Sequence, residues 1–174
     1  MSGHSKWSQI KHKKGVTDKK RGQVFGKILR AIRIAAKDES NPEFNPRLRT
    51  VIEKAKEAQV PQENIERALK QTENKDLEEI IIEAYGPAGS AIIIEAITDN
   101  RNRTINEIKA ILSNEGAKFA DPGSVKWAFD LPKPGELWQP KFKQALNEED
   151  KTKLYALVQV LEEYEDTQKV STNA

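Results

Sequence analysis

Basic side chains crowd the first 37 residues of the chain. This stretch carries eleven Lys and Arg and one acid, Asp18, so its net charge is +10 in a chain whose total is +2. Lys and Arg bind a polyanion by replacing its counterions, and contacts to phosphates position a protein without reading bases. The stretch therefore predicts a nucleic-acid-binding surface. Its candidate contacts are Lys6, Trp7, Lys11, His12, Lys13, Lys14, Lys19, Lys20, Arg21, Lys27, Arg30 and Arg33.

The alternative for this stretch is a solvated lysine face, which is what most charge runs are. A polyanion partner is favoured because the acids that usually intersperse such a face are missing. Trp7 has two possible roles, stacking on an unpaired base or anchoring the basic leader as an apolar contact. The sequence leaves both open.

A second pair of cations, Arg101 and Arg103, follows an apolar segment. We place them on a loop before a helix, where backbone amides of the helix N-terminus would reinforce a phosphate contact. The alternative is an ion pair with an acid of the same domain. Both remain open.

Catalytic and metal-binding patterns are missing from the sequence. His4 and His12 are the two histidines, both in the basic leader, and there is no cysteine. Neither phosphate-loop nor dinucleotide-binding glycine motifs occur, and the carboxylates lie at helix starts, where capping explains them. We therefore expect no enzyme, no cofactor, no metal and no small-molecule substrate.

The apolar content predicts a globular protein that does not cross a membrane. No run of about 18 apolar residues occurs, and the lysine-rich start has no apolar signal segment. A cytoplasmic location is the expectation.

Charge divides the chain into two parts. Residues 1–75 have a net charge of +9 and residues 76–174 one of −7. Such a split is typical of two domains with different roles. We predict a basic helical nucleic-acid-binding domain at 1–75 and an acidic α+β domain at 76–174.

Helical patterning runs through the first part. A long helix is predicted from Thr17 or Asp18, with an apolar side and an opposite charged side that includes Lys27. The prolines of Asn41–Pro46 are expected to break it, with Asn45 and Pro46 as N-cap and first residue of the next helix. Pro61 opens a third. The charges of the last two helices are balanced, so neither resembles a DNA recognition helix.

The second part switches to strand patterning. Leu77–Tyr85 and Ala91–Thr98 flank a Gly-Pro-Ala-Gly turn and predict a hairpin. A capping box at Thr104–Glu107 is expected to start the helix behind it. Three further segments complete a predicted ββαβαβ, ferredoxin-like α+β layer with its helices on one face. They are a third strand at Ser124–Asp130, a helix from Asn147 and a strand at Lys169–Thr172, with a connector at Leu131–Pro140.

Several motifs resemble the YebC/PmpR family. They are GHSKW (Gly3–Trp7), IKHKKG (Ile10–Gly15), DKKRGQVFGKILR (Asp18–Arg30), GPAGSAIIIEAITDNRNRT (Gly86–Thr104) and PGSVKWAF (Pro122–Phe129), and residues 146–173 are similar to the family's last helix and strand.

That resemblance implies an N-terminal helical domain and two α+β domains, the third inserted into the second. Family members are described as DNA-binding transcriptional regulators and as translation factors that act on the ribosome, some relieving stalls at proline-rich stretches. This chain departs from the pattern at Leu131–Ala145, which is too short for the inserted domain. It also has Asn114-Glu115-Gly116 where the family has a double glycine.

Three functions stay open. The first is a DNA-binding transcriptional regulator, and the second is a translation factor that docks on ribosomal RNA or tRNA. The third is a protein-interaction adaptor that uses the acidic domain. Phosphate contacts look alike on DNA and RNA, so the sequence does not separate the first two, and it leaves the oligomeric state open.

Overall fold

A computed structural model of the chain describes residues 18–71 and 77–174. The two ranges belong to two compact units, and each unit is described by itself below. Within these ranges no helix is both long enough and apolar enough to cross a membrane.

The first unit packs three helices around one apolar core. These are α1 (Asp18–Ala35), α2 (Pro46–Glu57) and α3 (Gln62–Lys70). Ile28 and Ile32 of α1 recur at helical spacing and pack with Leu48 of α2 and Ile65 of α3, all of them buried. The predicted apolar stripe of the long helix is therefore the face that forms this core.

Asn45 joins the end of α1 to the start of α2. Its side-chain oxygen accepts a hydrogen bond from the Leu48 amide at 3.0 Å, and its Nδ2 donates to the carbonyls of Ala35 and Glu39, both at 2.7 Å. The predicted N-cap is confirmed, with Pro46 as first helical residue. Pro61 precedes α3 as predicted. The first helix ends at Ala35, ahead of the prolines expected to break it.

The second unit is an antiparallel sheet with two helices. In chain order the elements are β1 (Glu78–Tyr85), β2 (Ala91–Thr98), α4 (Arg101–Asn114), β3 (Lys118–Ala120), β4 (Phe129–Asp130), β5 (Gln139–Pro140), α5 (Glu148–Glu163) and β6 (Thr167–Thr172). The order of strands in its four-stranded sheet is β3-β1-β2-β6, and β4 and β5 form a separate two-stranded ladder.

Both helices cover one face of this sheet. Alternate residues of the central strands, such as Ile82 and Ile94, pack against Ile108 of α4 and Leu157 of α5. The other face carries a smaller core of Ala91, Ile93, Val125, Ala128, Phe129 and Trp138. The predicted α+β class, the hairpin, the helix capped by Asn147 and the final strand are confirmed.

The predicted third strand at Ser124–Asp130 is wrong. The third strand of the sheet is Lys118–Ala120, which pairs with β1. Ser124–Asp130 instead contains a turn, a short 3-10 helix at Lys126–Ala128 and the two-residue β4. The physical reason is that the Glu83 carboxylate accepts the amides of Val125 and Lys126, which a sheet ladder would otherwise use.

The predicted capping box is also wrong. Helix α4 starts at Arg101, and its N-cap is Asn100, whose side chain accepts from the Arg103 amide at 3.1 Å. Asparagine is among the strongest N-cap residues, so it starts the helix before Thr104 is reached. Thr104 is consequently a buried residue of the first turn.

Candidate nucleic-acid interface

The first turn of α1 presents three consecutive cations to solvent. Lys19, Lys20 and Arg21 are exposed, as is Asp18 at the helix start. The Arg21 guanidinium lies 5.3 Å from the centroid of the Phe25 ring, a cation–π distance that orients the side chain along the helix. This turn is the most exposed part of the predicted basic surface that the structure describes.

Further along α1 the predicted cations are less open. Arg30 and Arg33 are half-buried, and Lys27 is 7% exposed. The placement of Lys27 on an open charged side is therefore wrong. It lies beside Ile28 at the edge of the apolar stripe, where a lysine stem is covered by its neighbours. Among the described residues, the buried Nε of Arg33 has no hydrogen-bond partner.

Six of the predicted contacts lie outside the described residues. These are Lys6, Trp7, Lys11, His12, Lys13 and Lys14. Their role in binding a polyanion stays a prediction, and so do the two alternatives for Trp7.

Arg101 and Arg103 lie in the first turn of α4 and not on a loop before it, so that expectation is corrected. The Nη1 atom of Arg101 is 3.3 Å from Glu78 Oε2. The Nη2 atom of Arg103 is 2.9 Å from Asp166 Oδ2 and 2.8 Å from Asp99 Oδ1. Hydrogen bonds to Asp166 and then to Asp99 raise the pKa of Arg103. The structure thus shows the ion-pair alternative, and a phosphate contact by either arginine stays a prediction.

A buried carboxylate organises the surroundings of Arg103. The side chain of Asp166 is 3% exposed, and its Oδ2 accepts from the Thr104 hydroxyl at 2.5 Å and lies 3.2 Å from the Tyr164 hydroxyl. Tyr164 also bonds Glu107, and burial together with that bond raises the pKa of Tyr164. The cluster joins the start of α4 to the segment that leads into β6. Sequence reasoning missed it because its members come from distant positions.

A different carboxylate holds the loop that follows β3. Glu83 is buried near the end of β1 and accepts the amides of Gly123 at 2.6 Å and of Val125 and Lys126, each at 2.8 Å. Burial raises the pKa of Glu83, but the three amides and the charge of Lys126 together bring it below its usual value. An ionised, fully bonded carboxylate of this kind is a structural anchor.

No group of three or more His, Cys, Asp or Glu side chains that could hold a metal ion exists in the part of the chain that the structure describes. The carboxylates seen here instead bond backbone amides, hydroxyls and arginines.

Two family descriptions match successive parts of this chain. Residues 5–75 match the "TACO1/YebC protein N-terminal domain", and residues 77–132 match the "TACO1/YebC second and third domain". The chain belongs to the TACO1/YebC family. The resemblance to the YebC/PmpR family is thereby confirmed.

Curated relatives in the family carry a regulatory name. A "probable transcriptional regulatory protein" of Trichlorobacter lovleyi is 50% identical over 135 residues, which are 75% of this chain and 55% of that protein. One of Persephonella marina is 49% identical over 148 residues, 82% of this chain and 58% of that protein. The chain thus spans a little over half the length of these relatives.

The family likeness extends to a solved structure. The crystal structure of a conserved hypothetical protein from Aquifex aeolicus is similar with a TM-score of 0.83 and 33% sequence identity, covering 97% of this chain and 96% of that one.

Proposed function

We propose that this chain is a non-catalytic regulator of gene expression that binds nucleic acid through its amino-terminal unit. The observation that carries the proposal is the exposed run of Lys19, Lys20 and Arg21 in the first turn of a helix whose later turns pack in a core. A packed helix holds these cations in fixed register, which suits contact with a phosphate backbone. The regulatory name of the curated relatives supports the same role.

The proposed contacts are electrostatic and therefore sensitive to salt. Contacts to phosphates release counterions, so about six of them would weaken binding by on the order of 10³ between 50 and 200 mM salt. Arg30 and Arg33 extend the proposed surface along α1, and the cations before Asp18 would add to it.

Duplex DNA is the target that the relatives' name favours. The second candidate is RNA, including ribosomal RNA or tRNA, and one observation favours it. Helices α2 and α3 carry acids such as Glu53, Glu57 and Glu63 among their basic residues. A helix that enters the major groove is normally basic, so neither helix suits that role.

The test compares two variants with the same change in net charge. Lys19→Glu/Lys20→Glu reverses the proposed surface, and Lys151→Glu/Lys153→Glu reverses two exposed lysines of α5. We expect the first variant to lose binding to labelled duplex DNA and RNA and to lower the salt slope by about two. The second variant should bind like the unmodified protein. Equal binding by all three proteins would refute the proposal.

The same three proteins are used to distinguish RNA from duplex DNA as the target. Cosedimentation with ribosomes that disappears at high salt, together with weak and non-specific duplex binding, identifies the RNA function. Tight binding to one duplex site identifies the DNA function. If Lys19→Glu/Lys20→Glu retained full cellular function, the protein-interaction adaptor would replace both.

A further inference from the structure

Three exposed aromatic side chains lie at one edge of the second unit, and we call them the aromatic platform. They are Tyr85 of β1, Trp127 of the 3-10 helix and Phe142 after β5, with exposed fractions of 38%, 65% and 68%. Tyr85 points to the sheet face opposite α4 and α5, because its neighbour Ala84 packs with those helices. Large aromatic side chains grouped in solvent mark a binding surface more often than scattered ones do.

One carbonyl oxygen fixes two of these rings. The Ser124 carbonyl accepts the Trp127 indole N–H at 2.8 Å and the Tyr85 hydroxyl at 3.3 Å. The polar tips of both side chains therefore meet at the same atom, while Trp127 stays largely exposed and Tyr85 partly so. This arrangement orients two aromatic surfaces before any ligand binds.

The β4–β5 ladder brings the third ring alongside. Phe129 pairs with Pro140, and the Lys141 amide donates to the Ala128 carbonyl at 2.9 Å, which extends the ladder by one position. Trp127 precedes Ala128 and Phe142 follows Lys141, so the two rings belong to the residues next to this contact. Phe129 and Trp138 are buried beneath the ladder, so the exposed rings stand on a packed base.

Lysines surround the platform although the unit as a whole is acidic. Lys118 is the register partner of Tyr85, Lys126 precedes Trp127, and Lys141 and Lys143 flank Phe142. All four are exposed. Residues 118–143 contain five lysines and three acids, whereas residues 77–174 contain eleven basic and seventeen acidic residues. Positive charge is therefore concentrated around the rings.

We propose that the aromatic platform binds an unpaired segment of nucleic acid. Bases would stack on Trp127 and Phe142, and neighbouring phosphates would contact the lysines. Stacking on aromatic rings combined with a cationic border is how proteins bind single strands without sequence preference. Paired bases of a duplex present no free face, so the platform selects single strands. This inference rests on the proposed function. It adds that the nucleic acid bound at the platform is single-stranded.

The test measures binding of a labelled single-stranded RNA of twelve nucleotides and of a duplex of the same length. Trp127→Ala and Phe142→Ala are each expected to weaken single-strand binding by between about five- and a hundredfold, since each removes a stacked base. In both variants the affinity for the duplex should change by less than about twofold. Trp127→Tyr keeps a ring and should retain most of the affinity. Tyr155→Ala is the matched control, because Tyr155 is an exposed aromatic residue of α5.

Each result separates the platform from the amino-terminal surface. If Trp127→Ala and Phe142→Ala melt normally and bind the single strand like the unmodified protein, the platform is refuted, and a loss in Lys19→Glu/Lys20→Glu still supports the proposed function. If the platform variants lose single-strand binding while the lysine reversal does not, the platform stands and the amino-terminal site fails. Binding of polyglutamate that Trp127→Ala abolishes, with RNA binding unchanged, would assign the platform to an acidic protein partner and overturn the inference.

Discussion

The Glu83 carboxylate lies 2.6 Å from the backbone nitrogen of Gly123, on the loop that follows β3. Through this contact the last part of β1 holds the segment that carries Trp127. The amides of Val125 and Lys126 complete the anchor. One buried side chain therefore binds three amides of the segment that leads to an exposed ring.

Replacing this carboxylate should loosen the loop. In Glu83→Gln one acceptor oxygen becomes an NH₂ group that faces backbone donors, so we expect the free energy of unfolding to fall by about 2 kcal/mol at pH 7. Urea denaturation followed by circular dichroism measures the change. Glu163→Gln, at an exposed position of α5, is the control and should have little effect.

The effect of Glu83→Gln should also depend on pH. The pKa of Glu83 is below its ordinary value of 4.5, so its ionised form stabilises the fold above that pH. The stabilisation is lost as the pH falls through the lowered pKa of the folded state. The difference between the unmodified protein and Glu83→Gln should therefore shrink in acid. A difference of the same size at every pH would contradict the role of the charge.

Thr104→Val tests the buried Asp166 cluster. The substitution keeps the shape of the side chain but removes the hydroxyl that lies 2.5 Å from Asp166 Oδ2. Leaving a buried carboxylate short of one donor should lower stability by about 1–3 kcal/mol. Thermal unfolding compares it with Thr152→Val, whose hydroxyl is exposed on α5. Identical melting of the two variants would show that the cluster adds nothing to stability.

Ile108→Asp should unfold the second unit. Ile108 is fully buried between the sheet and α5, and an unpaired charge there costs about 3–5 kcal/mol or more. Ala110→Asp changes an exposed position of the same helix and should leave the unit folded. The loss of the sheet signal in circular dichroism is the measurement, and a normal melting curve for Ile108→Asp would refute its placement in the core.

Two glycines should respond to alanine with opposite signs. A Cβ on Gly86 would lie 2.7 Å from Ser90 Oγ and 2.9 Å from Ile92 Cδ1, so Gly86→Ala overpacks the hairpin and should cost about 1–3 kcal/mol. A Cβ on Gly26 would meet no atom of the described residues within 4 Å. Gly26→Ala should therefore raise stability by roughly 0.5–1 kcal/mol, because alanine favours a helix interior. The two unfolding midpoints, measured side by side, check both signs.

Local signals explain most of what the sequence predicts correctly. Asn45-Pro46, Pro61 and Asn147 start helices because an N-cap or an N-terminal proline acts within one turn. The hairpin follows from β-branched runs around a glycine-proline turn. These features depend on neighbours in the chain, so a sequence pattern contains them.

The errors arise where distant contacts decide the structure. The strand Lys118–Ala120 is three residues long and exists because it pairs with β1, whereas Val125–Lys126 gives its amides to Glu83. Lys27 is covered although it lies beside charged positions of the helical wheel. The aromatic platform could not be predicted from the sequence either. Its residues come from β1 and from the loop after β3, and the shared Ser124 acceptor brings them together only in the folded chain.

The β4–β5 ladder has a consequence for how this chain tolerates changes in length. Its antiparallel register joins Asp130 to Gln139, so the two ends of the connecting segment 131–138 lie side by side. Leu131, at the start of that segment, is 79% exposed. A longer loop inserted here would raise the entropic cost of loop closure by only about 0.6 kcal/mol for each doubling of its length. Evolution can therefore lengthen or shorten the polypeptide at this point while the four-stranded sheet stays as it is.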